Sequence, residues 1–227
     1  MCVVIRQREV ASALVVRMLL EKKHHSKREI MFFIGKCCFF HWRICPVIKK
    51  ESFAMVKPFA TCDLCDVHKG DISGSFRVLA PVFRDFGAVK AFAGPVETVK
   101  CFEDNSLVKA AVDSVGYVET PEGRFGKVLV VDGGGSLRKA LLGGNLGAAA
   151  ARNGWAGVVI DGCVRDCTEL AVQAVGIRAL ASNPMPTEKR NQGQVGVPVQ
   201  VQGVWVRPGD WLYADADGMV VSATALV

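Results

Sequence analysis

Two short stretches of this 227-residue sequence combine residue types that could do chemistry together. The first is Gly143-Gly144-Asn145-Leu146, which opens an alanine-rich run. Glycines let backbone N–H groups come close to a ligand. A helix starting at Asn145-Leu146 would add unpaired donors and a positive dipole end, an anion site suited to a carboxylate. The second stretch is Arg165-Asp166. A guanidinium fork can bind a carboxylate or an enolate oxygen through two hydrogen bonds, and an aspartate beside it is a hard oxygen ligand suited to Mg²⁺ or Mn²⁺. Together these residues would grip a small 2-oxo acid. Each has a plainer use as well: glycine pairs make turns, and an Arg-Asp pair in a turn serves as a solvated ion pair.

Other chemistries find less to stand on. Gly133-Gly134-Gly135-Ser136 lacks the glycine-lysine-serine/threonine ending of a phosphate-binding P-loop and does not fit the dinucleotide spacing. Cys62 and Cys65 form a CxxC, but no second pair or nearby histidine completes a tetrahedral zinc site, so they read as incidental thiols. His68 is the only histidine after Met55 and reads as a structural or surface residue, which leaves a Ser-His-Asp or Cys-His mechanism little to stand on.

The surrounding pattern says which elements must hold these groups. Thr61 to Lys69 reads as a short helix with Thr61 as N-cap, and Val89 to Phe102 as two extended pieces bent at Gly94-Pro95. Asn105 to Val115 is an amphipathic helix. Lys127 to Asp132 is a β-branched buried strand, with the glycine loop and then a helix expected after it. Asn145 to Asn153 is helical, with Asn145 as N-cap and Gly154 as stop. Gly157 to Asp161 is a second buried strand, Thr168 to Val175 a helix, and Ile177 to Ala181 a further strand. From Val195 onward the signal is β only. Strands alternating with helices before a β-rich tail predict an α/β layered domain, with both chemical stretches at strand ends, where such folds bind ligands.

Charge divides the chain. Residues 1–54 hold 11 Lys/Arg against 4 Glu and no Asp, a net +7, whereas the remainder holds 17 basic against 18 acidic residues. A near-neutral body has no footprint for a phosphate backbone, so no direct nucleic-acid partner is expected. No run is apolar for long enough to span a membrane. Nine cysteines without framework spacing suit a reduced compartment, and a cytoplasmic location is expected. The domain expectation is a basic extension over 1–54 followed by a catalytic domain over 55–227. The extension is open to three readings: a disordered leader, mitochondrial targeting (against which Glu9, Glu21 and Glu29 argue), or an upstream reading frame ahead of a start at Met55.

Gly144, twenty intervening residues, Arg165-Asp166, two residues and Glu169 match the G-x20-R-D-x2-E/D signature of the RraA-like aldolases. The flanking blocks Val130 to Ser136, Val159 to Gly162, Pro208 to Trp211, Ala214-Asp215 and Asp217-Gly218 also resemble that family, so the likeness runs from about Thr61 to about Val221. The resemblance implies an α/β sandwich of the swivelling, phosphohistidine-domain-like type, assembled as a homotrimer or hexamer. It implies a class II aldolase that cleaves 4-hydroxy-4-methyl-2-oxoglutarate to pyruvate and decarboxylates oxaloacetate, using Mg²⁺ or Mn²⁺ and no Schiff-base lysine. On that pattern the backbone at Gly143, Gly144, Asn145 and Leu146 binds the pyruvyl carboxylate, Arg165 stabilises the enolate and Asp166 holds the metal. Asp161 and Glu169 are candidates for holding metal-bound waters. Asn145 stands where many members carry an acidic residue, so a proton-transfer role does not carry over to its side chain. Sites in this family lie between subunits, where a neighbour can supply a further acidic group.

The family also includes bacterial regulators of ribonuclease activity, which are protein inhibitors, and the block Val99 to Asn105 is especially similar to theirs. Under that alternative the partner is a ribonuclease and catalysis is not needed. Retention of Asp166 after Arg165 favours the enzyme. An old reading of the family as quinone-pathway methyltransferases rests on the glycine loop alone.

Overall fold

The computed structural model describes residues 57–121 and 123–227, so the expectations for residues 1–54 lie outside the described residues. In chain order, α1 (Thr61–His68) leads to the short strands β1 (Phe76–Val78) and β2 (Arg84–Asp85) and to the long strand β3 (Phe92–Lys100). Next come α2 (Ser106–Asp113), the hairpin β4 (Tyr117–Thr120) and β5 (Gly123–Gly126), β6 (Val128–Leu142), α3 (Gly144–Arg152), β7 (Gly157–Val164), α4 (Cys167–Leu170) and β8 (Gly176–Ser182). The chain continues through β9 (Gln194–Val195), β10 (Val199–Val201), β11 (Val204–Val206), β12 (Trp211–Ala214) and β13 (Met219–Ser222).

One mixed sheet organises these elements in the order β1-β13-β12-β3-β6-β7-β8-β2, with β9 also pairing with β3. Strands β3, β6, β7 and β8 run parallel in its centre, and the β-rich tail adds β12 and β13 antiparallel along one side. Central parallel strands are covered on both faces and so read as unbroken apolar runs; Val128 to Val131 and Val158 to Ile160 have no exposed surface. The pleat sends alternate residues to two cores. Leu129, Val131, Val158 and Ile160 pack against Val108 and Val112 of α2 and Ala149 and Ala150 of α3. Val128, Val130 and Val159 face Val199, Val201, Val206 and Leu212 of the tail. Among the described residues no helix is long and apolar enough to cross a membrane.

Several local expectations give way to tertiary context. Gly94-Pro95 is no bend: β3 runs through it in register with Trp211 and Leu212, and the missing Cβ of Gly94 makes room for the Gly126 carbonyl crossing over it. The segment after Asp132 forms no helix. Instead β6 continues to Leu142 across bulges, with Gly134 and Gly135 at φ 64° and 65°, and rejoins β7 by pairing Leu142 with Val164. The helix predicted over Thr168 to Val175 is only the single turn of α4. Thr61 does not cap α1; Ala60 holds that position, and Asp215 from the far end of the chain accepts hydrogen bonds from the Thr61 N–H (2.6 Å) and hydroxyl (2.7 Å).

Candidate active site

The parallel strands β6 and β7 end side by side. Because Leu142 pairs with Val164 and the Arg165 N–H donates to the Leu142 carbonyl at 2.9 Å, Gly143 and Arg165 leave the sheet as neighbours. The two predicted stretches are thereby brought together at the carboxyl ends of adjacent strands. Helix α3 begins at Gly144 with Gly143 as N-cap, so Asn145 is an exposed residue of the first turn and not the cap.

The glycine pair has a steric reason. A Cβ on Gly143 would stand 2.6 Å from Asp166 Oδ2 and 3.1 Å from Arg165 Nε, and a Cβ on Gly144 would overlap the carboxylate of Glu169. Glycine at these positions lets Asp166 and Glu169 lie against the start of α3. Asp166 Oδ2 accepts the Gly144 N–H at 3.1 Å, supplying from across the turn the cap that Gly143 lacks. The Leu146 N–H is turned back to the Gly143 carbonyl at 3.0 Å, which leaves the Asn145 N–H as the first-turn donor without a protein acceptor among the described residues. The four-residue anion site expected from sequence is therefore narrower, since the Gly144 and Leu146 amides are already engaged.

Asp166 adopts the left-handed conformation, φ 57° and ψ 45°. That geometry costs on the order of 1 kcal/mol for a residue with a Cβ, and Asp is among the few types that accept it. It points the carboxylate back toward α3 while the Asp166 carbonyl accepts from Glu169 and Leu170 to start α4. Arg165 Nε lies 3.5 Å from Asp166 Oδ2, both side chains about 40% exposed (41% and 39%). A pair this open contributes at most about 1 kcal/mol to stability, so its arrangement is not explained by folding energetics.

These groups line a cleft of about 210 Å³ together with Asn105, Lys109, Ala140, Pro186, Thr187 and Lys189. The second half of that lining was not anticipated as part of the site. Asp104 holds it: its buried carboxylate accepts the Ser106 N–H at 2.8 Å and the Arg190 N–H at 2.6 Å, tying the 183–193 segment to the start of α2. Burial pushes the Asp104 carboxyl up, but its hydrogen bonds with Ser106, Arg190 and Gln192 together hold it below the usual carboxylate range. An Asp two residues ahead of a helix reads in sequence as a local turn former. Its bond to Arg190 has no sequence signal.

Asp161 is not brought to the cleft. It faces the tail side of the sheet, buried, with Oδ1 accepting from Gln202 Nε2 at 2.7 Å. Burial raises its pKa, the Gln202 hydrogen bond lowers it, and the nearby charge of Asp132 raises it further. A larger cleft of about 500 Å³, lined in part by Lys100, Asp132 and Gln194, contains none of the predicted site residues, and Lys100 closes on Asp132 at 3.4 Å. Burial pushes the Cys101 thiol up to about 12, and Cys62, beside Asp217, and the partly buried Cys65 are also raised, which disfavours the thiolate at these three positions.

Among the described residues no three His, Cys, Asp or Glu side chains cluster closely enough to cage a metal. That donor set does not suit a structural zinc, which takes four protein ligands. It does suit Mg²⁺ or Mn²⁺, which keep several waters and need one or two carboxylates; Asp166 is in position to give the first.

Comparison with known proteins places this geometry in a family. The family of RraA-like proteins described as Aldolase/RraA matches residues 61–221. A protein of Albidiferax ferrireducens that carries the provisional name 4-hydroxy-4-methyl-2-oxoglutarate aldolase is 77% identical over 173 residues, covering 76% of this chain and 100% of that protein. The solved RNA-processing inhibitor RraA of Thermus thermophilis is 43% identical with a TM-score of 0.67, over 75% of this chain and 96% of that one. A Geobacillus kaustophilus structure named as an S-adenosylmethionine:2-dimethylmenaquinone methyltransferase is 39% identical with a TM-score of 0.66, over 74% of this chain and 97% of that one.

Proposed function

From the premise that the chain belongs to the RraA-like Aldolase/RraA family, we propose that it is a divalent-metal-dependent carbon–carbon lyase. It cleaves 4-hydroxy-4-methyl-2-oxoglutarate to two pyruvates and decarboxylates oxaloacetate through the same enolate. The observation that carries this reading is the seating of Arg165 and Asp166 against the amino end of α3, made possible by Gly143 and Gly144. We further read the fold as the swivelling, phosphohistidine-domain-like type, and the assembly as a homotrimer or hexamer.

When bound, the cation would supply Lewis-acid polarisation of the 2-oxo group. Asp166 would hold it, with Glu169 at Gly144 able to orient its waters. The Asn145 N–H and the start of α3 bind the substrate carboxylate. In the retro-aldol step the 4-hydroxyl gives its proton to solvent, C4 becomes the carbonyl of one pyruvate, and the C3–C4 pair moves into the C2–C3 bond, placing charge on the C2 oxygen; a proton from solvent then adds at C3 and gives the second pyruvate. Arg165 meets that charge with its guanidinium, an interaction stronger in the transition state than in the bound substrate. Loss of CO2 from oxaloacetate places the same charge on the same oxygen, so one site serves both reactions.

The test is pyruvate release by the purified chain from each substrate, with Mg²⁺ and with EDTA, for the wild type and for Asp166→Asn. Asn accepts the left-handed backbone and can keep the Gly144 hydrogen bond, so the variant removes charge with little disturbance of the turn. Metal-dependent turnover that drops a hundredfold or more in the variant is the expected result. The 43% identity to an RNA-processing inhibitor favours a second reading, regulation of a ribonuclease. Wild-type turnover no higher than that of metal alone would move the assignment there.

A further inference from the structure

Helix α1 carries two thiols that the lyase reaction does not use. Cys62 is exposed and Cys65 half-buried. Residues three apart on a helix share a face, with Cβ atoms about 5–6 Å apart. A disulfide needs them at about 3.5–4.5 Å, closer than an intact turn allows. An ion between the sulfurs suits the spacing better. A metal–sulfur bond is about 2.3 Å long, so a linear sulfur–metal–sulfur unit spans about 4.6 Å, within reach of those Cβ positions through the choice of χ1 rotamer. The turn that carries the thiols is fixed from outside, because Asp215 accepts from the Thr61 N–H at 2.6 Å and from its hydroxyl at 2.7 Å. Behind it Cys65 packs with Phe59 against Leu64, Ala93, Tyr213 and Val220. One sulfur thus rests on an apolar wall while the other is open for entry.

We propose that Cys62 and Cys65 form a two-coordinate site for a soft monovalent cation of the Cu(I) class. Soft ions select thiolate sulfur, and a linear ion needs no third protein ligand, so the lack of a three-donor cluster among the described residues does not stand against it. Binding is an exchange without electron transfer: each thiol gives its proton to solvent, and each sulfur donates an electron pair to the ion. Neighbouring charges oppose the loss of those protons. The charge of Asp217, which also accepts a hydrogen bond from Cys62, raises that thiol together with burial and Asp215. Burial, then Asp66 and Asp215, raises Cys65, and Lys69 is paired with Asp66 at 3.6 Å. Protons and the ion compete for the same sulfurs. Below the thiol pKa values, affinity therefore climbs about a hundredfold per pH unit for two sulfurs and about tenfold for one.

The experiment titrates Cu(I) into the reduced full chain against a chromophoric Cu(I) chelator at pH 6.5 and 7.5. The chain carries Cys2→Ser, Cys37→Ser, Cys38→Ser and Cys45→Ser, so that residues 1–54 supply no sulfur. One ion per chain is expected, bound about a hundredfold more tightly at the higher pH. Cys62→Ser and Cys65→Ser should each weaken binding at least a hundredfold. Asp217→Asn removes a charge that opposes thiol ionisation and should strengthen it severalfold. X-ray absorption of the loaded chain should show two sulfur neighbours. Absence of binding overturns the site, and so does an affinity that survives both serine variants, which would move the ion to Cys101, Cys163 or Cys167. A tenfold rise with pH would mean a single sulfur, and weaker binding in Asp217→Asn would make that carboxylate a ligand; either result overturns the two-sulfur site.

Discussion

Asp161 and Asp166 belong to one strand-and-turn segment but serve opposite sides of the sheet. Asp166 sits at the cleft in a left-handed turn, whereas Asp161 is enclosed on the tail side against Gln202 and near Asp132. Burial is the main cause of the raised Asp161 pKa, and it sets a direction for stability. A carboxyl whose folded pKa lies above its unfolded value is penalised once it ionises. The penalty is absent below the ordinary carboxylate range, grows as pH rises through the folded pKa, and is then constant. Asp161→Asn removes the charge and keeps an acceptor for the Gln202 amide. Thermal unfolding should show the variant more stable than the wild type at pH 8, by about 2 °C or more in Tm, with the gain shrinking toward pH 4. Pyruvate release should be unchanged. A variant as inactive as Asp166→Asn would instead return Asp161 to the metal's water shell.

At the level of elements, the start of α3 depends on contacts made by α4. Gly144 gives up its Cβ to the Glu169 side chain, and α4 is placed by the Asp166 carbonyl. Gly144→Ala should therefore cost about 1–3 kcal/mol, the usual penalty for forcing an extra methyl into a filled space. The cost should be smaller in a Glu169→Ala background, because the carboxylate that meets the new Cβ is gone. Denaturant unfolding of the four members of this cycle measures the coupling, and strictly additive costs would show that the contact is not what keeps Gly144 glycine. This contact also explains why part of the site was legible in the sequence. The signature spacing records a physical contact between residues at its two ends, and the apolar runs of β6 and β7 place those ends side by side. The second wall was illegible for the opposite reason: Asn105, Thr187 and Lys189 meet through Asp104 hydrogen bonds between distant segments, and no periodicity encodes that pairing. Gly94-Pro95 misled in the same way, since a glycine that admits a crossing backbone has the same letter as one that turns.

For the molecule as a whole, the sheet order implies a gradient of stability. Strands β6 and β7 lie at the centre, covered on both faces by residues with no exposed surface, while α1 is attached at the margin. Leu64 of α1 packs with Ala93, Tyr213 and Val220 in a small separate core, and the Asp215 carboxylate holds Thr61 by two hydrogen bonds. The Asp215 pKa is pushed up by burial, yet the hydrogen bonds from Thr61, Asp217 and Gly218 outweigh this and leave it lowered, so the clasp is at full strength above the ordinary carboxylate range and weakens as pH falls below it. Because few contacts link α1 to the central sheet, it should open without the rest. Hydrogen exchange should find the amides of Val128 to Val131 and Val158 to Ile160 among the slowest in the described chain and those of α1 far faster. Asp215→Ala should speed exchange in α1 at least tenfold while leaving β6 and β7 within a factor of two, the signature of a local opening. Equal acceleration in all three would mean that the clasp is part of the global unfolding unit. The cleft would then be coupled to the chain's margins, since the strands that end at Arg165 and Gly143 would loosen with α1.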